Sequence, residues 1–151
     1  MDPVEVDSLP RTNLKWGKMM SSSQFLSIAG ILGLVFGLLL VLVPAQFLAM
    51  YGDMGGEVVI GMARGWGASL LGLGVIAWSA RNASGPAVQA ILLGTFVSAL
   101  IGGANSLYGI LMGGMGDMGW LNVAIQAFLA VGAGMLRFGG SGDTGGAAPA
   151  E

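Results

Sequence analysis

Four long apolar stretches dominate this sequence and limit what the chain can fold into. They cover residues 25–50, 58–78, 88–112 and 120–136. A transmembrane helix needs about 17–25 predominantly apolar residues, and each stretch is long enough. Because lipid offers no hydrogen-bond partners, the backbone of such a segment must pair with itself as a helix. The pattern therefore predicts an all-α polytopic membrane protein, a bundle of four transmembrane helices.

The scarcity of charge supports this fold class. Only 9% of the 151 residues are charged and 54% are hydrophobic, whereas soluble domains carry about 25% charged residues. So few charges are not enough for a surface that faces water, and we therefore expect most of the protein surface to face lipid. Residues 28–43 include no polar side chain, which differs from the alternating strands of an outer-membrane β-barrel.

Polar and Gly-rich segments divide the chain into three parts. Residues 1–23 form a polar N-terminal tail, residues 24–138 form the transmembrane domain, and residues 139–151 form a tail whose composition predicts disorder. The first apolar stretch exceeds the roughly 7–15 residues of a signal-peptide core. We therefore expect this stretch to remain in the protein as its first transmembrane helix.

The basic residues indicate how the bundle lies in its membrane. Five of the six fall on one side of a four-helix topology, whereas the turns on the other side contain only acidic charges. Cytoplasmic loops carry an excess of Lys and Arg. Both tails are therefore expected in the cytoplasm. The five basic residues are Arg11, Lys15, Lys18, Arg81 and Arg137.

Missing residue types exclude several kinds of function. The chain has no Cys and no His, which removes disulfides, thiolate metal sites and the residue most used for proton transfer near neutral pH. It has no basic cluster to bind nucleic acid. It also has no nucleophile–base pair, and no carboxylate lies well inside an apolar stretch. The sequence therefore predicts a non-enzymatic protein without a cofactor.

Arg64 is the charged residue that lies inside an apolar stretch. A charge at the centre of a membrane costs about 2.5–3.5 kcal/mol on insertion scales, so we expect Arg64 to face the bundle and find acceptors there. Two interpretations stay open: a site for a small solute or anion, or a structural arginine that ties helices together or reaches the headgroups. The residues expected near Arg64 are Asn105, Asn122 and Gln126, with Glu57 and Asp117 at the membrane edge.

Three methionines follow one another at three-residue spacing after the third apolar stretch. Met112, Met115 and Met118 resemble the thioether clusters that hold Cu(I), because soft sulfur ligands select that ion. Methionine is also a common apolar filler. The sequence leaves both interpretations open, with inert packing as the main expectation.

A short repeat and several stripes of small residues suggest how the helices associate. Residues 52–55 recur as residues 116–119, which indicates two related helical hairpins or a chance repeat of a Gly-rich turn. Small residues at helical spacing let helices approach closely. They predict packing within the bundle, or self-association and docking to another subunit. The stripes are Ala29, Gly33 and Gly37; Gly61, Gly65 and Ser69; and Gly94, Ser98, Gly102 and Ser106.

Residues 63–74 and the Gly-Trp pair at 119–120 resemble a group of small, uncharacterised four-helix bacterial inner-membrane proteins. The resemblance implies the four-helix fold, a place in a bacterial inner membrane, and no particular activity. We expect a structural or accessory subunit of a membrane complex. Solute or anion binding around Arg64, and Cu(I) binding by the methionines, are the alternatives.

Overall fold

The computed structural model describes residues 20–52 and 56–139, and this part of the chain is all-α, without a strand. Four of its helices are long and apolar enough to cross a membrane, which confirms the expected fold class. Asp53, most of the N-terminal tail and residues 140–151 lie outside the described residues. The helices are α1 (Ser22–Leu42), α2 (Pro44–Ala49), α3 (Glu57–Ser79), α4 (Pro86–Leu111) and α5 (Met118–Phe138), and a 3-10 turn, Ala80–Asn82, follows α3.

Local sequence explains where two of the long helices begin. The Ser21 hydroxyl accepts a hydrogen bond from the Gln24 N–H at 3.2 Å, and the Gln24 side chain accepts one from the Ser21 N–H at 3.0 Å. These two bonds form a capping box that satisfies N–H groups left free at the start of α1. Pro86 occupies the first turn of α4, where its missing N–H costs nothing. Gly85 precedes it with a φ of 81°, a conformation that glycine adopts without strain.

The first apolar stretch is two helices rather than one, so the expectation of a single helix over residues 25–50 is wrong. Helix α1 ends before Val43, whose φ and ψ of −132° and 51° are not helical. Pro44 causes this break, because its ring clashes with the preceding turn and restricts the residue before it. The short helix α2 then starts with Pro44 at its first position.

Helices α1 and α3 form the first hairpin, and their backbones touch at glycines. A Cβ atom added to Gly74 would lie 2.8 Å from the Leu34 nitrogen and 3.0 Å from the Gly30 oxygen. A Cβ atom on Gly67 would lie 2.9 Å from the Gly37 oxygen. Side chains of any size would push these helices apart, so the glycines set the distance between them.

The three predicted stripes of small residues are used to different extents within the described chain. Gly33 and Gly37 pack against α3, whereas Gly61, Gly65 and Gly94 have no atom within 4 Å of a built Cβ. Ser69 and Ser98 are exposed. Ser106 is buried, and its hydroxyl donates to the Gly102 oxygen at 2.9 Å.

Helices α4 and α5 form the second hairpin. The rings of Phe96 and Phe138 meet edge to face with centroids 5.5 Å apart, and Phe96 also lies against Gly134. Helix α3 makes almost no contact with α4 or α5. The described chain is therefore two hairpins rather than an evenly packed bundle.

Two apolar clusters join the hairpins at opposite ends. The end that includes Arg81 and Arg137 is called the basic end, and the end that includes Glu57 and Asp117 is called the acidic end. The basic-end cluster draws on all four long helices. Its buried members are Phe25, Leu26, Ala77, Val88, Leu92 and Ala133. The acidic-end cluster consists of Leu40, Phe47, Tyr51 and Ala63, with Met118 packed against it.

The glycine contact gives a test with a matched control. Gly74→Ala should force α1 and α3 apart and lower the free energy of unfolding by about 1–3 kcal/mol, the usual cost of overpacking. Gly65→Ala adds the same methyl group where nothing lies within 4 Å. It should leave stability unchanged or raise it by up to about 1 kcal/mol through helix propensity. Thermal unfolding in mild detergent measures both, and equal midpoints would contradict the glycine contact.

Candidate functional site

Arg64 does not face the bundle, and this expectation from the sequence is wrong for the isolated chain. Its side chain is exposed and forms no hydrogen bond or ion pair with another described residue. The cause is the packing of α3. Its neighbours Ala63 and Gly67 are buried, and Gly67 lies against α1. Arg64 lies on the adjoining flank, which no other helix covers.

The three amides expected beside Arg64 belong to the other hairpin. Asn105 is exposed on α4, whereas Asn122 and Gln126 on α5 are partly buried. Gln126 lies against Gly102, where a built Cβ would clash with its amide group. None of the three side chains hydrogen-bonds to another described residue. The polar cluster predicted from depth in the membrane is therefore not assembled.

The two described carboxylates lie at helix starts on the acidic end. Glu57 occupies the first turn of α3, where a negative charge interacts favourably with the helix dipole. Asp117 precedes α5, and its side chain does not cap that helix. Both are exposed, and neither forms an ion pair within the described residues. No group of three or more His, Cys, Asp or Glu residues in that part of the chain is placed to hold a metal.

The three methionines have different surroundings. Met112 is 66% exposed. Met115 fills the space beside Gly109 and Gly119, and Met118 packs against the acidic-end cluster. Met115 and Met118 therefore fill apolar gaps, as methionine commonly does, whereas Met112 lies at the surface.

A contact between the two repeated turns was not predicted. The Gly116 N–H donates to the Tyr51 carbonyl at 2.8 Å, and Gly52 follows Tyr51 directly in the first copy of the repeat. Tyr51 is 8% exposed, and the centroid of its ring lies 5.5 Å from that of the Phe47 ring. Burial raises the pKa of the Tyr51 phenol above its ordinary value. The repeated residues were the available signal, since they mark the two turns that meet.

The surface around Arg64 is a continuous face without a neighbour. It consists of five exposed residues at helical spacing on α3, and we call it the open α3 face. Around each of its glycines, a built Cβ would find no atom within 4 Å. A single cation therefore lies among small side chains that leave the helix backbone accessible. The open α3 face consists of Gly61, Arg64, Gly65, Ala68 and Gly72.

No protein-family model, curated protein or solved structure matches this chain. The geometry of the described residues is therefore the basis on which a function can be argued. Within that part of the chain, the open α3 face combines a charge with close access to a helix backbone. It is the candidate functional site.

Arg64→Leu tests whether this arginine stabilises the chain itself. Because Arg64 has no acceptor among the described residues, removing it leaves no amide or carboxylate without a donor. The thermal midpoint of the purified protein in detergent should stay unchanged or rise.

Leu92→Ala serves as the control for sensitivity. Leu92 is fully buried, and truncating a buried leucine costs about 2–5 kcal/mol. If Arg64→Leu lowered the midpoint as much as Leu92→Ala, Arg64 would be a structural residue of the bundle.

Proposed function

We propose that this protein is a non-enzymatic accessory subunit of a larger membrane complex, and that it docks to a partner helix through the open α3 face. The exposure of Arg64 among glycines that nothing in the described chain covers carries this proposal. The partner would be a transmembrane helix that supplies carbonyl or carboxylate oxygens near Arg64. The bundle would act by holding that helix in place, with no catalytic step.

The glycines of this face support close approach by another helix. Glycine destabilises a helix interior by roughly 0.5–1 kcal/mol relative to alanine. Within the chain, Gly67 and Gly74 offset that cost by letting α1 touch α3. Gly61 and Gly65 have no such contact, although they lie on the same helix. Association with a helix outside the chain would give them the equivalent packing.

Arg64 supports a partner that carries acceptors. A guanidinium has five N–H donors, and leaving it unpaired inside a membrane is expensive. Arg64 follows Glu57 by seven residues, which places it about 10 Å along the helix axis from the start of α3. Oxygens on a partner helix at that level would pair with these donors.

The geometry favours docking over the anion-binding alternative. An anion site would need Arg64 and the amide groups of Asn122 and Gln126 to converge. Arg64 belongs to the α1–α3 hairpin and the amides belong to the α4–α5 hairpin, with almost no contact between α3 and α5.

The orientation in the membrane is part of the same proposal. We place the basic end on the cytoplasmic side of a bacterial inner membrane, since Lys and Arg are enriched on that side. Arg81 and Arg137 lie at this end, while Glu57 and Asp117 lie at the other. The open α3 face would then meet its partner in the outer half of the bilayer.

Single cysteines test this orientation, because the chain has no native Cys. Gly114→Cys lies in the turn between α4 and α5, and Ala83→Cys lies in the turn between α3 and α4. A membrane-impermeant maleimide applied to spheroplasts should label position 114 directly and position 83 only after the membrane is opened. The reverse pattern would invert the proposed orientation.

Docking is tested by the size of the complex extracted from native membranes in mild detergent. The wild type should migrate with a partner protein, and Gly65→Leu should release it by filling the open α3 face. Gly94→Leu is the matched control, because Gly94 on α4 also has nothing within 4 Å but lies off this face. It should leave the complex intact.

Three results would contradict the docking proposal. The first is that the wild type migrates as a single chain, and the second is that the two leucine variants behave alike. The third is that the extracted complex consists of copies of this chain alone. A photo-crosslinker in place of the exposed Met62 locates the contact. It should join the partner in the wild-type background and fail to do so when Gly65→Leu is added.

A further inference from the structure

The basic end carries two arginines whose hydrogen-bonding capacity is largely unused. Arg81 lies in the 3-10 turn after α3. Its guanidinium lies over the Trp78 ring, 4.2 Å from the ring centroid, and Nη1 donates to the Trp78 carbonyl at 2.7 Å. The stacking and this single bond fix the group at the bundle surface. Most of its five donors remain available to a ligand.

Arg137 is placed similarly on the other hairpin. It lies in the last turn of α5, with its guanidinium 5.4 Å from the centroid of the Phe138 ring. Its Nε is buried without a hydrogen-bond partner among the described residues. A buried donor without an acceptor is unfavourable, and no described residue supplies the acceptor that this N–H lacks.

Both arginines flank the same apolar cluster. Ala80, the residue before Arg81, and Leu136, the residue before Arg137, pack against the basic-end cluster. Arg81 and Arg137 therefore lie beside the same cluster but belong to different hairpins. The described carboxylates lie at the acidic end, so within that part of the chain nothing negative neutralises this pair.

We propose that Arg81 and Arg137 bind anionic phospholipid headgroups at the basic end. Guanidinium groups bind phosphate through paired, charge-assisted hydrogen bonds. The partly exposed rings of Trp78 and Phe138 suit the region where headgroups meet acyl chains. Lipids bound at these arginines contact the folded protein and therefore stabilise it against unfolding. This site is separate from the open α3 face and does not depend on the proposed docking function.

The experiment compares thermal stability in nanodiscs of phosphatidylcholine alone and of phosphatidylcholine mixed with phosphatidylglycerol. Phosphatidylglycerol should raise the midpoint of the wild type. This gain should be smaller in Arg81→Gln and in Arg137→Gln, and largely lost when the two substitutions are combined. Because the gain is measured within each variant, a general loss of stability does not affect the comparison.

Arg64→Gln is the charge-matched control, since it removes one positive charge away from the basic end. It should keep the gain. Native mass spectrometry should show bound phosphatidylglycerol on the wild type and on Arg64→Gln. Its apparent affinity should fall about tenfold or more in the other two variants, the order expected for losing a charge-assisted bond. Arg81→Lys should recover part of it, because the charge returns without the planar group.

Several results would overturn the proposal. One is that phosphatidylglycerol does not stabilise the wild type. Another is that all three glutamine variants lose the gain equally, which would indicate a nonspecific effect of net charge. Inorganic phosphate added to phosphatidylcholine nanodiscs separates the two sources of the anion. If it stabilised the wild type as well as phosphatidylglycerol does, the ligand would be a soluble anion rather than a lipid.

Discussion

The backbone contact between α1 and α3 is the interaction on which the rest of the structure depends. Lipid is as apolar as a leucine side chain, so helices in a bilayer gain little by hiding apolar faces from it. Dispersion forces must hold them together, and these need short distances. Gly33 and Gly74 provide such distances because their backbones meet directly. The same contact decides which side of α3 is used within the chain and leaves the side with Arg64 uncovered.

Much of the fold can be predicted from the sequence because span length and helix ends are local properties. The apolar stretches, the cap at Ser21 and the start at Pro86 depend on nearby residues alone. Which glycines meet cannot be read in this way, since every face of a membrane helix is apolar. Gly61 and Gly67 therefore look equivalent in the sequence, although one is open and the other lies against α1. The break at Val43 was not predicted, because apolar residues resume at Phe47 and extend the stretch beyond Pro44.

The sequence predicts how deep the candidate-site residues lie in the membrane, but not the direction in which their side chains point. Counting residues from the membrane edge places Arg64, Asn122 and Gln126 at comparable levels, and that counting needs no tertiary structure. Whether they converge depends on how each helix is rotated about its axis. In α3 that rotation is set by Gly67 and Gly74, whose partners lie in α1 and carry no signal in the sequence of α3 itself.

The meeting of the two repeated turns has a consequence for motion. Many transporters work by rocking one half of the protein against the other, which exposes a central site alternately to each side. Here the hairpins are joined at both ends, by the bond from Gly116 to the Tyr51 carbonyl at one and by the basic-end cluster at the other. A rocking motion would have to break one of these connections in every cycle. These two connections therefore oppose a rocking motion of the α1–α3 hairpin against the α4–α5 hairpin.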